Sequence, residues 1–313
     1  MLQPNSKINT TYSNRLASSS AASFRKYPEI LFTETIMPRV FFVTGSSAGL
    51  GEALVKEILD NGDYVIATAR KPEVLIFDKA TSTNFLAVQL DLLDSNSVLT
   101  AYLTGVAKFG RIDVVVNNGG YGLSGPFEDL TDEDIQRQMD VNFTGAVVST
   151  RAAIKVMREQ SPPGGIIQQI TSIGGRIGMP YMCMYSASKF ALEGFTEAVA
   201  QEMDPKWGIK FTCVEPGGFR TDFFARSMVY TNSTSSAYDL AAVSAQIKEI
   251  EKSQRGDPPK GAKALYHLAT LENPPKKTVL GSDAYEWLNQ HMTAEHEDLL
   301  RHESLARSTD IDD

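Results

Sequence analysis

From Arg39 onward, short runs of apolar residues alternate with longer segments in which apolar positions recur every three or four residues. Six of the short runs are rich in β-branched and aromatic residues and predict strands: "RVFFVT" (39–44), "YVIATA" (64–69), "FLAVQL" (85–90), "IDVVVN" (112–117), "GIIQQI" (165–170) and "IKFTCV" (209–214). They are continuously apolar rather than alternating, so both faces of each strand need cover. That pattern points to an α/β protein with a parallel sheet between helical layers. The longer segments supply the cover. "LGEALVKEILDNG" (50–62) repeats apolar residues at Leu50, Leu54, Ile58 and Leu59, and Gly62 suits the position just past a helix end. "SNSVLTAYLTGVAKFG" (95–110), the span 131–160 and "YSASKFALEGFTEAVAQEM" (185–203) carry the same period, and Thr131 with Asp134 forms a capping-box pattern. "YTNSTSSAY" (230–238) reads as a loop, and residues 282–313 as an acidic, mostly helical tail.

Residues 1–36 break the rhythm. They are rich in Ser, Thr and Asn, with Lys7, Arg15, Arg25 and Lys26 and no acidic residue before Glu29. A disordered leader is expected; the alternatives are an organellar transit peptide, or translation from Met37, where "MPRVFFVTG" opens the domain. No linker divides residues 37–313, which are expected to form one domain, and the composition, 42% hydrophobic and 22% charged, is globular. A formal net charge of -8 disfavours nucleic acid and anionic membranes as partners. No apolar run reaches the roughly 18 residues of a spanning helix, so a soluble protein is expected, cytoplasmic unless the leader directs it to mitochondria. Cys183 and Cys213 lack C-x-x-C spacing and read as buried thiols. His291, His296 and His302 are spaced by five and six, which does not stack ligands on one helix face, so no metal site is expected.

The stretch "VTGSSAGLGEA" (43–53) carries two incompatible chemistries. Gly45-Ser46-Ser47-Ala48-Gly49 spells G-x-S-x-G, a nucleophile elbow for acyl transfer. The same letters spell T-G-x-x-x-G-x-G, a turn whose backbone N–H groups hold dinucleotide phosphates at a helix N-terminus. Position favours the second: the turn follows the first strand, whereas an elbow follows strands that supply its oxyanion loop. All four histidines fall in the last fifth of the chain, which leaves the hydrolase triad possible in order but without local support.

Other motifs then agree in order: "TGSSAGLG", "NNGG" (117–120), "VNFTG" (141–145), "TSIGG" (171–175), "YSASK" (185–189) and "PGGFRT" (216–221). Over roughly residues 39–300 the chain resembles the short-chain dehydrogenase/reductase family. The resemblance implies a Rossmann-type doubly wound parallel sheet of about seven strands with helices on both faces. Gly119 departs from the family's usual Ala, and a slightly wider adenine side is expected.

Carbonyl reduction needs an acid where charge develops on oxygen, and a phenol needs a nearby cation to exchange protons near neutrality. Tyr185 and Lys189, four apart, share one helix face. By resemblance Tyr185 is the acid/base, Lys189 lowers its pKa and binds the nicotinamide ribose, Ser172 stabilises the substrate oxygen, and Asn142 holds a water beside Lys189. The end of the second strand reads Ala69-Arg70-Lys71 with no carboxylate before Glu73, which favours NADP(H) over NAD(H), with Arg70 at the 2′-phosphate. The resemblance adds Gly45, Ser46, Ser47, Gly49, Leu50, Asp91, Asn117, Gly119, Pro216, Gly217 and Thr221 to the cofactor site. Residues 219–255 correspond to the family's substrate lid; Phe223, Phe224, Met228, Tyr230 and Tyr238, with Tyr181, Met182 and Met184 nearby, suggest an apolar or aromatic ketone, aldehyde or alcohol. "GDPPKGAKAL" and "LGSDAYEWL" resemble members acting on steroids and retinoids. A homodimer or homotetramer is implied, paired through the helices that carry Asn142 and Tyr185. The rival expectation is a redox-inactive, NADP-binding sensor or scaffold of the same fold.

Overall fold

The strands expected to be covered on both faces are so covered, because successive side chains divide between two cores. In the first strand, β1 (Val40–Val43), Phe41 and Val43 enter one cluster while Val40 and Phe42 enter the other. The computed structural model describes residues 37–231 and 237–311. The proposed leader therefore lies outside the described residues, as do positions 232–236 of the 230–238 loop.

Helix α1 (Gly49–Asp60) follows β1, and β2 (Tyr64–Ala69), β3 (Phe85–Gln89), α2 (Ser95–Phe109) and β4 (Val114–Asn117) continue the alternation. The second half begins with the short β5 (Gly122–Ser124), then α3 (Asp132–Met139), α4 (Gly145–Glu159), β6 (Gly165–Ile170), α5 (Cys183–Gln201) and β7 (Ile209–Pro216). It ends with α6 (Phe223–Arg226), β8 (Met228–Tyr230), α7 (Leu240–Lys252), α8 (Pro258–Thr270), β9 (Lys277–Leu280), α9 (Ser282–Arg301) and α10 (Glu303–Arg307). Seven parallel strands run in the order β3-β2-β1-β4-β6-β7-β9. The order reverses between β1 and β4, the switch point where open α/β sheets bind ligands beyond the strands' C-terminal ends.

Several elements escaped the reading of the pattern, three strands among them. "KTVL" of β9 is short and half-buried, and it is a strand because its backbone pairs with β7 at the sheet edge. The pair β5 and β8 forms a separate two-stranded parallel sheet that ties the lid to the loop after β4. The span 131–160 is not one uniform helix. Thr131 and Asp134 make the expected reciprocal cap, but Asp140–Thr144 widen into a π-turn between α3 and α4, with Asn142 buried at its centre. The tail is helical as expected, and α9 is exposed along almost its whole length after Ala284. Cys213 is buried, whereas Cys183 is only half-buried.

Glycines set the switch point. Gly45 and Gly49 have φ of +68° and +59°, in the left-handed region. Gly51 is required for space: a methyl there would collide with the Gly45 carbonyl oxygen and lie 2.5 Å from Asn118 Nδ2. Overpacking typically costs about 1–3 kcal/mol, so Gly51→Ala is expected to lower the thermal midpoint by at least a few degrees. A midpoint equal to wild type would mean that the turn relaxes without cost.

Candidate active site

The C-terminal ends of β1, β2, β4, β6 and β7 open onto a cleft of about 500 Å³, roofed by the lid and by the start of α9. Thirteen of the residues expected in the site line it: Gly45, Ser47, Gly49, Leu50, Arg70 and Asp91 toward the glycine turn, then Gly119, Ser172, Tyr185, Lys189, Pro216, Gly217 and Thr221. Three others are held behind the wall. Ser46 is fully buried, its hydroxyl donating to the Val43 carbonyl at 2.9 Å and accepting from the Thr68 amide at 3.2 Å, so it braces the turn from below. Asn117 donates to Thr150 and Gln169 and accepts from Ser149 at 2.6 Å, tying β4 to α4 and β6. Asn142 is discussed below.

The glycine turn fits a phosphate. No side chain caps α1, so among the described residues the first-turn N–H groups of Gly49 and Leu50 keep their donors for the cleft, at the positive end of the helix dipole. Asn118 holds the turn's shape: its Nδ2 donates to the Thr44 and Gly45 carbonyls at 3.0 and 3.1 Å. The widening expected at Gly119 is absent. A methyl there would lie 2.9 Å from Leu92 Cδ1 and 3.3 Å from Thr44 Oγ1, so Leu92 has already taken the space. Arg70 is exposed at the rim just beyond β2, where the chain reads Ala69-Arg70-Lys71.

The polar centre of the cleft belongs to β6 and α5. Ser172 begins the turn after β6, where its Oγ accepts the Gly174 amide at 3.0 Å and lies near the Tyr185 ring, a methyl on Gly174 being 3.4 Å from the one and 3.2 Å from the other. Lys189, one turn further along α5, donates to the Ile170 carbonyl at 2.8 Å, with Nζ 5.9 Å from the Tyr185 ring centre. Asn142 accepts from the Tyr121 amide at 3.0 Å and donates to the Tyr121 carbonyl and to Ser188 Oγ. A methyl on Gly120 would touch both Asn142 Oδ1, at 3.1 Å, and Lys189 Nζ, at 3.7 Å, so Asn142, behind the wall, and Lys189, which lines it, approach the same point.

Burial governs the titration of this group. It pushes the Tyr185 phenol above its ordinary value, with the Ser172 hydrogen bond pulling partly back, and it pulls the Lys189 ammonium down to about 8, partly opposed by Glu193. The expected depression of Tyr185 by Lys189 is therefore not found in this geometry. Desolvation sets the direction, and Ser172 rather than Lys189 is what opposes it.

The apolar wall is partly as expected. Met182, Phe223 and Phe224 line the cleft with Met179, Ile250 and Trp287, and Tyr185 packs in one cluster with Met182, Phe224 and Met228. Tyr230 and Tyr238 turn elsewhere, to the Phe224 carbonyl and to Glu128. Sequence reasoning passed over Arg226, which lines the cleft and donates from the lid to the Ser47 carbonyl at 3.3 Å. It also passed over Asp283, whose Oδ2 accepts the Gly218 amide at 2.7 Å and fixes the loop after β7. A lone Arg or Asp in a loop or tail carries no periodic signal. None of the four histidines lines the cleft, so Ser47 has no imidazole to activate it, and the acyl-transfer reading lapses.

The chain belongs to the short-chain dehydrogenase family, whose model matches residues 39–229. It is 38% identical to an uncharacterised oxidoreductase of Schizosaccharomyces pombe over 87% of this chain and 91% of that one. Among solved structures, a short-chain dehydrogenase from Streptomyces avermitilis superposes with a TM-score of 0.79 at 33% identity, covering 88% of this chain and all of its own. ElxO, solved with NADP bound, does so with a TM-score of 0.62 at 28% identity, covering 78% and 96%.

The depressed ammonium has a thermodynamic signature. Because the folded value of about 8 lies below the ordinary 10.5, the unfolded chain binds more protons between them, and this residue's contribution to stability rises with pH across that window. Urea unfolding of wild type and Lys189→Met, compared from about pH 7.5 to about pH 10, should show the difference moving in favour of wild type. A difference independent of pH would mean that Lys189 is solvated.

Proposed function

We propose that the chain is an NADP(H)-dependent oxidoreductase that interconverts a ketone or aldehyde and the corresponding alcohol on an apolar or aromatic small molecule. The observation that carries this reading is the convergence of Ser172, Tyr185 and Lys189 on one end of a cleft whose other end is an uncapped, glycine-lined helix N-terminus. A bound nicotinamide cofactor supplies or accepts the hydride. Tyr185 delivers its proton to the substrate oxygen as charge develops there, and Ser172 donates a hydrogen bond to the same oxygen. Burial keeps the phenol protonated, the form that reduction uses. Lys189 would offer its ammonium to the ribose hydroxyls of a bound cofactor, and Asn142 holds the Tyr121 backbone in place. Arg70 offers a charge-assisted fork to a 2′-phosphate, at a strand end without the carboxylate that would repel one. Phe223, Phe224, Met179 and Met182 favour an apolar or aromatic body beside the reacting carbon.

A screen of carbonyl compounds that follows NADPH absorbance tests the activity. With any substrate it finds, Tyr185→Phe should lower single-turnover rates by about 10²–10⁴-fold while leaving cofactor affinity nearly unchanged. A Tyr185→Phe protein as fast as wild type would remove the mechanism. NADPH binding without turnover across a broad panel would favour a redox-inactive sensor or scaffold.

The cofactor preference has its own test. A lost charge-assisted contact costs ~1.5–3 kcal/mol, roughly ten- to over a hundredfold in affinity. Ala69→Asp with Arg70→Ala should weaken NADPH binding by that order and raise the relative affinity for NADH, read by fluorescence titration. Equal affinity of the wild type for both cofactors would overturn the assignment.

A further inference from the structure

Lys189 has a buried neighbour of opposite charge that the proposed chemistry does not use. Tyr185, Lys189 and Glu193 follow at four-residue intervals on α5 and are all buried, forming one ladder that runs from the cleft into the protein. Glu193 is 3% exposed, and neither of its carboxylate oxygens accepts a hydrogen bond. The cation facing it, Lys277 on β9, stands 3.4 Å from Oε2 and pairs more closely, at 2.9 Å, with the exposed Glu197. Cys213 and Glu215 of β7 lie on the same side; Glu215 is itself paired with Arg176 at 2.9 Å. Desolvating a carboxylate without hydrogen bonds opposes folding, and an apolar residue of similar size would fit this site at lower cost. The carboxylate thus has an electrostatic consequence to look for, and the buried cation one turn before it on the same helix is Lys189, which donates to the neutral Ile170 carbonyl and has Tyr185 as its other titratable neighbour.

We propose that Glu193 is a positioning residue that keeps the Lys189 ammonium protonated in its dry site, so that the charge remains available at neutral and mildly alkaline pH. Burial and Glu193 act on Lys189 in opposite directions, burial the stronger. With the carboxylate removed, burial acts alone and the ammonium is lost at lower pH. The protonation of Lys189 stands independently of any ligand; its consequence for cofactor binding rests on the function proposed above.

The test is a ¹³Cε NMR titration of lysine-labelled full-length chain without cofactor, the Lys189 signal being assigned by its loss in Lys189→Met. Wild type should titrate near 8, and Glu193→Gln about one unit lower or more, with the charge-retaining Glu193→Asp in between. At about pH 8 a one-unit drop takes the protonated fraction from half to about a tenth, so NADPH affinity of Glu193→Gln should fall about fivefold there and recover on acidification. A purely structural role would not move the midpoint. Should Glu193→Gln not fold, Glu193→Met, uncharged and of similar size, carries the same measurement. An unmoved Lys189 midpoint in the uncharged variant overturns the proposal, whatever the cofactor affinity. A lowered midpoint upholds it, and in that case failure of wild type to bind NADPH would count against the proposed function alone.

Discussion

Two backbones meet at the switch point more closely than any side chain allows. A carbon added to Gly45 would lie 2.8 Å from Gly119 Cα, and one added to Gly51 would collide with the Gly45 carbonyl. The turn after β1 is thereby packed directly onto the end of β4, and α1 starts where its first N–H groups face the cleft rather than solvent. Thr44 and Asn118 hold this contact from the two sides, Thr44 accepting the amides of Asn118 and Gly119 at 2.9 Å and Asn118 reaching back to the turn's carbonyls. The rest of the cleft is laid out from that contact, because the parallel register carries the ends of β2, β6 and β7 to the same level.

At the other end of the cleft the governing quantity is desolvation. Tyr185 and Lys189 are both buried under the apolar lid cluster, and burial moves each toward its neutral form, the phenol upward and the ammonium downward. A protonated phenol is ready to donate, whereas a lysine that loses its proton loses its use. The two groups therefore need unequal support. Tyr185 is served by the Ser172 hydroxyl, and Lys189 by the charge one turn behind it. The dry surroundings strengthen each of these interactions.

The sequence by itself determined the six main strands, the helices between them and the reciprocal cap at Thr131, since these depend on local periodicity and on capping residues a few positions apart. It determined the family as well, through motifs in order, and through them most of the cleft lining. What it left open was decided by contacts between distant segments. β9 is a strand because β7 offers an unpaired edge, not because "KTVL" has a strong pattern. Leu92 fills the space beside Gly119, Asn118 holds the glycine turn, and Arg226 crosses from the lid to Ser47, pairs separated by up to 179 positions. The spacing of Tyr185, Lys189 and Glu193 was visible from the start, but spacing places side chains on a face without saying whether water reaches it. The direction of the Tyr185 and Lys189 shifts follows from burial, and burial is a property of everything packed around α5, which only the tertiary structure decides.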